Sequence, residues 1–313
     1  MRSAKRGYDN IVRFLLDNGA DTRARDKYNK TALMGAAKKG HTEICRMIVH
    51  AGGDVNSHDN KGRTALMRAA LLGQTETAEY LIRKGAEVNA VDEQGRTALM
   101  EAVTGYKDDV IALLIENGAD VNVKNGDGRT ALMRSAKRGY DNIVRFLLDN
   151  GADTRARDKY NKTALMGAAK KGHTEICRMI VHAGGDVNSH DNKGRTALMR
   201  AALLGQTETA EYLIKKGAEV NAVDEQGRTA LMEAVTGYKD DVITLLIENG
   251  ADVNIADAKG CTALMRAAYI GIPSLVNQLL KHGADKDKKD YEGNMAIHYV
   301  RKECLNDLKD VLK

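Results

Sequence analysis

The string T-A-L-M begins at Thr31, Thr64, Thr97, Thr130, Thr163, Thr196, Thr229 and Thr262, an interval of 33 residues every time, and the variant Met295-Ala296-Ile297-His298 falls one interval later. A strict period of this length confines the chain to architectures in which one small supersecondary unit is laid against its own copies. Complete units run over 26–58, 59–91, 92–124, 125–157, 158–190, 191–223, 224–256 and 257–289. A partial repeat at 1–25 precedes them, and a last one at 290–313 is expected to act as a cap. With no Trp, 2 Phe and 1 Pro against 30 Gly and 12 Met, burial must rest on many small aliphatic contacts rather than a few large aromatic ones.

Each unit reads the same way. In 59–91, Asp59-Asn60-Lys61-Gly62 is a turn whose fourth position suits a left-handed backbone, and Asn29 and Asn161, the best substitutes for Gly, fill that position elsewhere. Leu66, Ala69 and Ala70 form the apolar edge of a short first helix, which Gly73 ends; the alanines let a partner helix approach closely. Ala78, Leu81 and Ile82 give a second helix its buried stripe, and Gly85 closes it. A unit this thin cannot cover both of its own faces, so neighbours must stack.

The pattern D-x-x-G-x-T-A-L-M-x-A-A-x-x-G, followed by x-L-L-x-x-G-A-D-V-N, resembles the ankyrin repeat over essentially the whole chain. That resemblance implies an all-α fold, an ankyrin-repeat α-solenoid of stacked helix-turn-helix units with β-turn or hairpin tips. Two departures stand out. Ala takes the place of the family's usual Pro at the start of the first helix, and Met that of the usual His whose imidazole braces neighbouring turns, which only His298 retains. The fold is expected to survive, since Ala is a good helix former and Met fills space. Gly105-Tyr106 and Gly237-Tyr238 carry the glycine one position earlier than other units, which predicts a re-registered turn there.

A longer period overlies the short one. Residues 1–122 match 133–254, with differences only at Arg83 against Lys215 and Ala112 against Thr244, so a four-unit block is used twice. Met1 aligns with Met133 inside a first helix, which leads us to expect further repeats upstream or a partner against that edge. At the other end Asn306, Asp307, Lys309, Asp310 and Lys313 surround Leu305, Leu308, Val311 and Leu312, the pattern of a capping helix.

Several function classes are disfavoured. No run of roughly 18 uncharged apolar residues occurs, and Arg2, Ser3 and Ala4 begin an amphipathic pattern, not a signal-peptide core, so no membrane association is expected. The cysteines Cys45, Cys177, Cys261 and Cys304 lack C-x-x-C spacing, and the first two occupy apolar helix positions; a reduced, intracellular, cytoplasmic protein is the expectation. Neither H-E-x-x-H nor a phosphate loop is present, and no enzyme activity, metal or cofactor is expected. His50 and His58 read as surface histidines in preference to metal ligands, and Cys261 as a neutral surface thiol in preference to a reactive one.

Binding is therefore sought on displayed positions. The resemblance places it on a concave side made of turn tips and exposed first-helix ends. Carried over residue by residue, it gives Lys27, Tyr28, Lys30, Lys38 and Lys39, then Lys61, Arg63, Leu71, Leu72 and Arg96 in the first copy. The second copy gives Lys159, Tyr160, Lys162, Lys170 and Lys171, then Lys193, Arg195, Leu203, Leu204 and Arg228. Net charge is only +5, so segregation of cations onto one face, not their total, carries the electrostatic argument. The bland readings are that Lys and Arg only solubilise the surface and that the leucine pairs are core. The expected partner is another protein with acidic and apolar surface, held bivalently by the duplicated block. The alternative is a polyanion or nucleic acid on the same basic face, although Tyr28 and Tyr160 are too few aromatics for a base-stacking platform. Oligomeric state is not legible from these patterns.

Overall fold

The computed structural model describes residues 1–312, and among them every repeat but the last is a pair of short antiparallel helices joined to the next pair by an extended turn. Lys313, assigned above to the capping helix, lies outside the described residues. The chain forms two compact units, Met1–Ser135 with Tyr140–Lys159, and Ala136–Gly139 with Tyr160 onward. Among the described residues there are 19 α-helices and no strand; isolated bridges pair His190 with Thr196 and Ala256 with Thr262 at turn bases. No helix there is long and apolar enough to cross a membrane.

The sequence dictates where each helix starts and stops. Thr64 holds an extended backbone and its hydroxyl accepts from the Met67 N–H at 3.3 Å, satisfying one of the orphan donors of helix Ala65–Leu72. Gly73 then turns left-handed (φ 75°), and helix Thr75–Arg83 follows. A side chain on Gly73 would meet the Lys107 side chain from the next repeat, so both backbone freedom and close packing select glycine there. In the first helix Leu66, Met67, Ala69 and Ala70 are all buried; in the second, Ala78 and Leu81 are buried and Ile82 is half-buried. The methionines that stand for the family's histidine are core residues, from Met34 to Met265. Cys45 and Cys177 are likewise buried, which pushes their thiols up to about 12.

The shifted glycines have a clear cause. Tyr106 and Tyr238 themselves adopt the left-handed turn (φ 56° and 58°). Gly105 remains in the helix, where an added Cβ would stand 2.1 Å from the Leu71 carbonyl oxygen, and Gly237 stands in the same relation to Leu203. Glycine is required there by the close approach of the preceding first helix, and the tyrosines bear the strained backbone.

The last repeat departs from the others. Its first helix is replaced by 3-10 turns at Ala296–Tyr299 and Lys302–Cys304, after which helix Leu305–Leu312 buries Leu308 and Leu312. His298 uses Nδ1 to accept from the Met295 N–H at 2.9 Å within its own turn. The brace between turns comes instead from the main chain: Asn60 N–H donates to Tyr28 O, Glu93 to Lys61 O and Gly126 to Gln94 O, at 2.7–3.1 Å. The D-V-N asparagines add a second rail. Asn89 donates through Nδ2 to Gly118 O (2.9 Å) and accepts from Asp120 N–H (2.9 Å), and Asn56, Asn122, Asn188, Asn221 and Asn254 do the same one repeat apart.

Candidate interaction surface

Turn tips and first-helix ends are positioned by the aspartate that opens each turn, or by Asn125 in the repeat at 125–157. One oxygen of Asp59 accepts from the N–H groups of Lys61 (2.9 Å) and Arg63 (3.0 Å), while the other takes the guanidinium groups of Arg63 (3.0 Å) and Arg68. Burial would raise this carboxyl, but the Arg63 guanidinium and those two N–H groups hold it down at about 2 against an ordinary 3.8. Asp92 grips Arg96 at 2.6 Å, and Arg96 also reaches Glu101 at 3.0 Å. In the second copy Asp191 takes Arg195 and Arg200, and Asp224 takes Arg228, which reaches Glu233 at 3.1 Å. The residue after T-A-L-M thus sets the latch: an arginine adds a second cation to the turn aspartate, and a glutamate closes on the turn arginine from its other side.

This changes the standing of four of the predicted binding residues. Arg63, Arg96, Arg195 and Arg228 are half-buried, with their guanidinium groups committed to the turn. The lysines behave differently. Burial, followed by the field of Arg68, Lys39, Lys5 and Lys30, holds the Lys38 ammonium below its ordinary value. Lys170 is lowered by burial and then by Arg200, Lys137, Lys171 and Arg195. Among the described residues no carboxylate lies within ion-pair distance of Lys38, Lys39, Lys170 or Lys171, so each block brings together cations that repel one another.

The remaining predicted positions divide. Tyr28 is exposed at its tip between Lys27 and Lys30, whose ammonium groups lie 5.0 and 4.7 Å from its ring centre, and Lys162 stands 4.9 Å from that of Tyr160. Lys61 and Lys193 are exposed; Lys159 is paired with Asp127 at 2.5 Å. Leu71 and Leu203 are half-buried while Leu72 and Leu204 are exposed, so one residue of each pair serves the stack and the other is displayed. Acidic residues on the second helices are tied into exposed pairs, as Arg46 with Glu76 (3.7 Å) and Arg83 with Glu79 (3.8 Å), which contribute little to stability. His58 has its Nδ1 3.4 Å from the Asp59 carbonyl oxygen, and no cluster of three metal-ligating side chains exists among the described residues.

A family model for ankyrin repeats (3 copies) matches residues 1–92, 51–125, 99–191, 165–257, 219–290 and 237–308. The chain belongs to the ankyrin-repeat family. No curated protein matches it. Ankyrin repeats are general protein–protein interaction modules, which directs attention to the displayed surface and not to catalysis.

One part of that surface escaped the sequence reading. In the second compact unit a groove of about 750 Å³ is lined by Tyr238, Tyr269, Ile270 and Met265 together with Arg228, Lys259 and Arg266. Cys261 also lines it, with Sγ 3.0 Å from the Tyr299 hydroxyl. That hydroxyl donates to Asp290 at 2.6 Å, which holds the Asp290 carboxyl at about 2 and, together with the Cys261 contact, pushes the phenol up. The available signal was a cysteine at a position where the other full repeats of this ankyrin chain place arginine or lysine.

Proposed function

We infer that this ankyrin-repeat protein is an interaction scaffold that binds a protein with acidic and apolar surface through its turn tips and first-helix ends. Support comes from the lysine clusters, Lys38-Lys39 and Lys170-Lys171, which have no carboxylate within ion-pair distance among the described residues and stand one repeat before the displayed Leu72 and Leu204. A partner segment with carboxylates relieves the repulsion among the lysines, and its apolar side chains cover the leucines. Because each block carries one cluster, a partner with two such segments is held twice, with avidity set by its linker.

The test uses the immobilised full chain and a synthetic peptide of mixed Glu and Leu, offered singly and as a flexibly linked pair. Reversing all four lysines (K38E, K39E, K170E, K171E) is expected to weaken the single peptide by at least about tenfold. Reversal in one block alone is expected to reduce binding of the linked pair more than of the single peptide. Binding indifferent to the fourfold reversal contradicts the reading; a steep salt slope with equal competition by heparin assigns the face to polyanions instead.

A further inference from the structure

The groove between residues 226 and 299 lies where the repeat at 257–289 departs from the other full repeats at the residue before T-A-L-M and carries an aromatic residue at the end of its first helix. Where other turns carry Arg63, Arg96, Arg195 and Arg228, this one has Cys261, so the side chain that fills the space above the turn aspartate is missing and Arg266 alone reaches Asp257, at 2.5 Å. Tyr269 and Ile270 end the first helix where the repeat at 125–157 has Lys137 and Arg138. Lys259 stands at the tip, as Lys61 and Lys193 do in their repeats. With the side chain before T-A-L-M shortened, an apolar groove opens with Lys259 at its edge.

Charge complementarity says what fits. Of the three cations in the lining, Arg228 is paired with Asp224 and Glu233 and Arg266 with Asp257, whose carboxylate also takes the N–H groups of Lys259 and Cys261; Lys259 has no carboxylate within ion-pair distance among the described residues. Tyr238 and Tyr269 are both exposed, offering large, stiff apolar faces that lose little freedom when covered.

We propose that this groove is a second docking site, for an extended peptide segment that presents an aromatic or leucyl side chain next to Asp or Glu. The apolar side chain packs against Tyr238, Tyr269 and Ile270, and the flanking carboxylate faces Lys259. The site is separate from the lysine clusters, and either can fail without the other.

A random-peptide display selection on the full chain tests this, with full-length C261R and Y269T chains as counter-targets. Arginine stands at this position in five other turns (Arg63, Arg96, Arg129, Arg195 and Arg228), and Thr104 and Thr236 occupy the position of Tyr269 in other repeats, so both variants are expected to fold, with thermal unfolding as the check. Selection is expected to enrich peptides with Phe, Tyr, Trp or Leu beside Asp or Glu, whose binding falls at least about tenfold on C261R and on Y269T and stays within about twofold on K170E/K171E. Absence of enrichment, enriched peptides lacking acidic or large apolar residues, or undiminished binding to C261R and Y269T overturns the proposal.

Discussion

Helix Asp9–Asp17 and helix Asp141–Asp149 have the same sequence, D-N-I-V-R-F-L-L-D, and very different burial. In the first, Ile11 is 49% exposed, Phe14 67% and Leu15 42%. In the second, Ile143 is 2% exposed and Leu147 is fully covered. The difference is the neighbour: helix Asp108–Glu116 presents Ile111 and Ala112 across a cavity of about 270 Å³ lined also by Ile143 and Phe146. Tyr140 likewise packs against Tyr106 in a tilted arrangement with ring centres 4.6 Å apart, while its equivalent Tyr8 is exposed. Both helices form regardless, because caps and local pattern are the same. In a stacked fold local sequence fixes the element, and the adjoining repeat fixes how much that element contributes.

That contrast predicts which substitutions will distinguish the copies. The largest effect is expected at the latches, which are alike in both: Asp191→Ala leaves Arg195 and Arg200 without their carboxylate and should destabilise the chain by about 3–5 kcal/mol, as should Asp59→Ala, read by urea unfolding. A marked inequality between the two breaks the view that latches depend only on their own repeat. Next comes the apolar face, where the copies should part: Ile143→Ala is expected to cost about 2–4 kcal/mol and Ile11→Ala under about 1 kcal/mol in the same assay. The smallest effect is acid sensitivity. Asp59 is held at about 2 against an ordinary 3.8, so its contribution is complete above that ordinary value and disappears as pH falls through about 2. Unfolding followed from pH 5 downward should therefore show an acid-linked loss that D59A reduces by the share of this one latch.

The fold was largely legible because the features that define it are local and repeated. The T-A-L-M interval gave the units; Asn29 and Asn161 were read as left-handed turn residues and hold φ of 61° and 62°. Three things were not legible, each because it depends on what lies beside a residue. Arg63 and Arg96 read as displayed cations, but the partner that engages each of them is the carboxylate four positions earlier in its own turn. Gly105 read as a displaced turn glycine, whereas the carbonyl of Leu71, a whole repeat away, is what excludes a side chain there. The groove around Cys261 arises from a shortened side chain, and a missing volume leaves no mark in a pattern of hydrophobic and polar letters. Among the candidate binding residues, the displayed lysines and Leu72 and Leu204 were recognisable from position alone, since tips and helix ends face solvent in every repeat.

The most direct test of neighbour-set stability is native-state amide hydrogen exchange, resolved by NMR, at the paired helices. Slow exchange through Val144, Leu147 and Leu148, with the amides of Val12, Leu15 and Leu16 exchanging at least about a hundredfold faster, is the predicted result. Equal protection of the two helices would contradict it, since identical sequence would then carry identical stability whatever stands alongside.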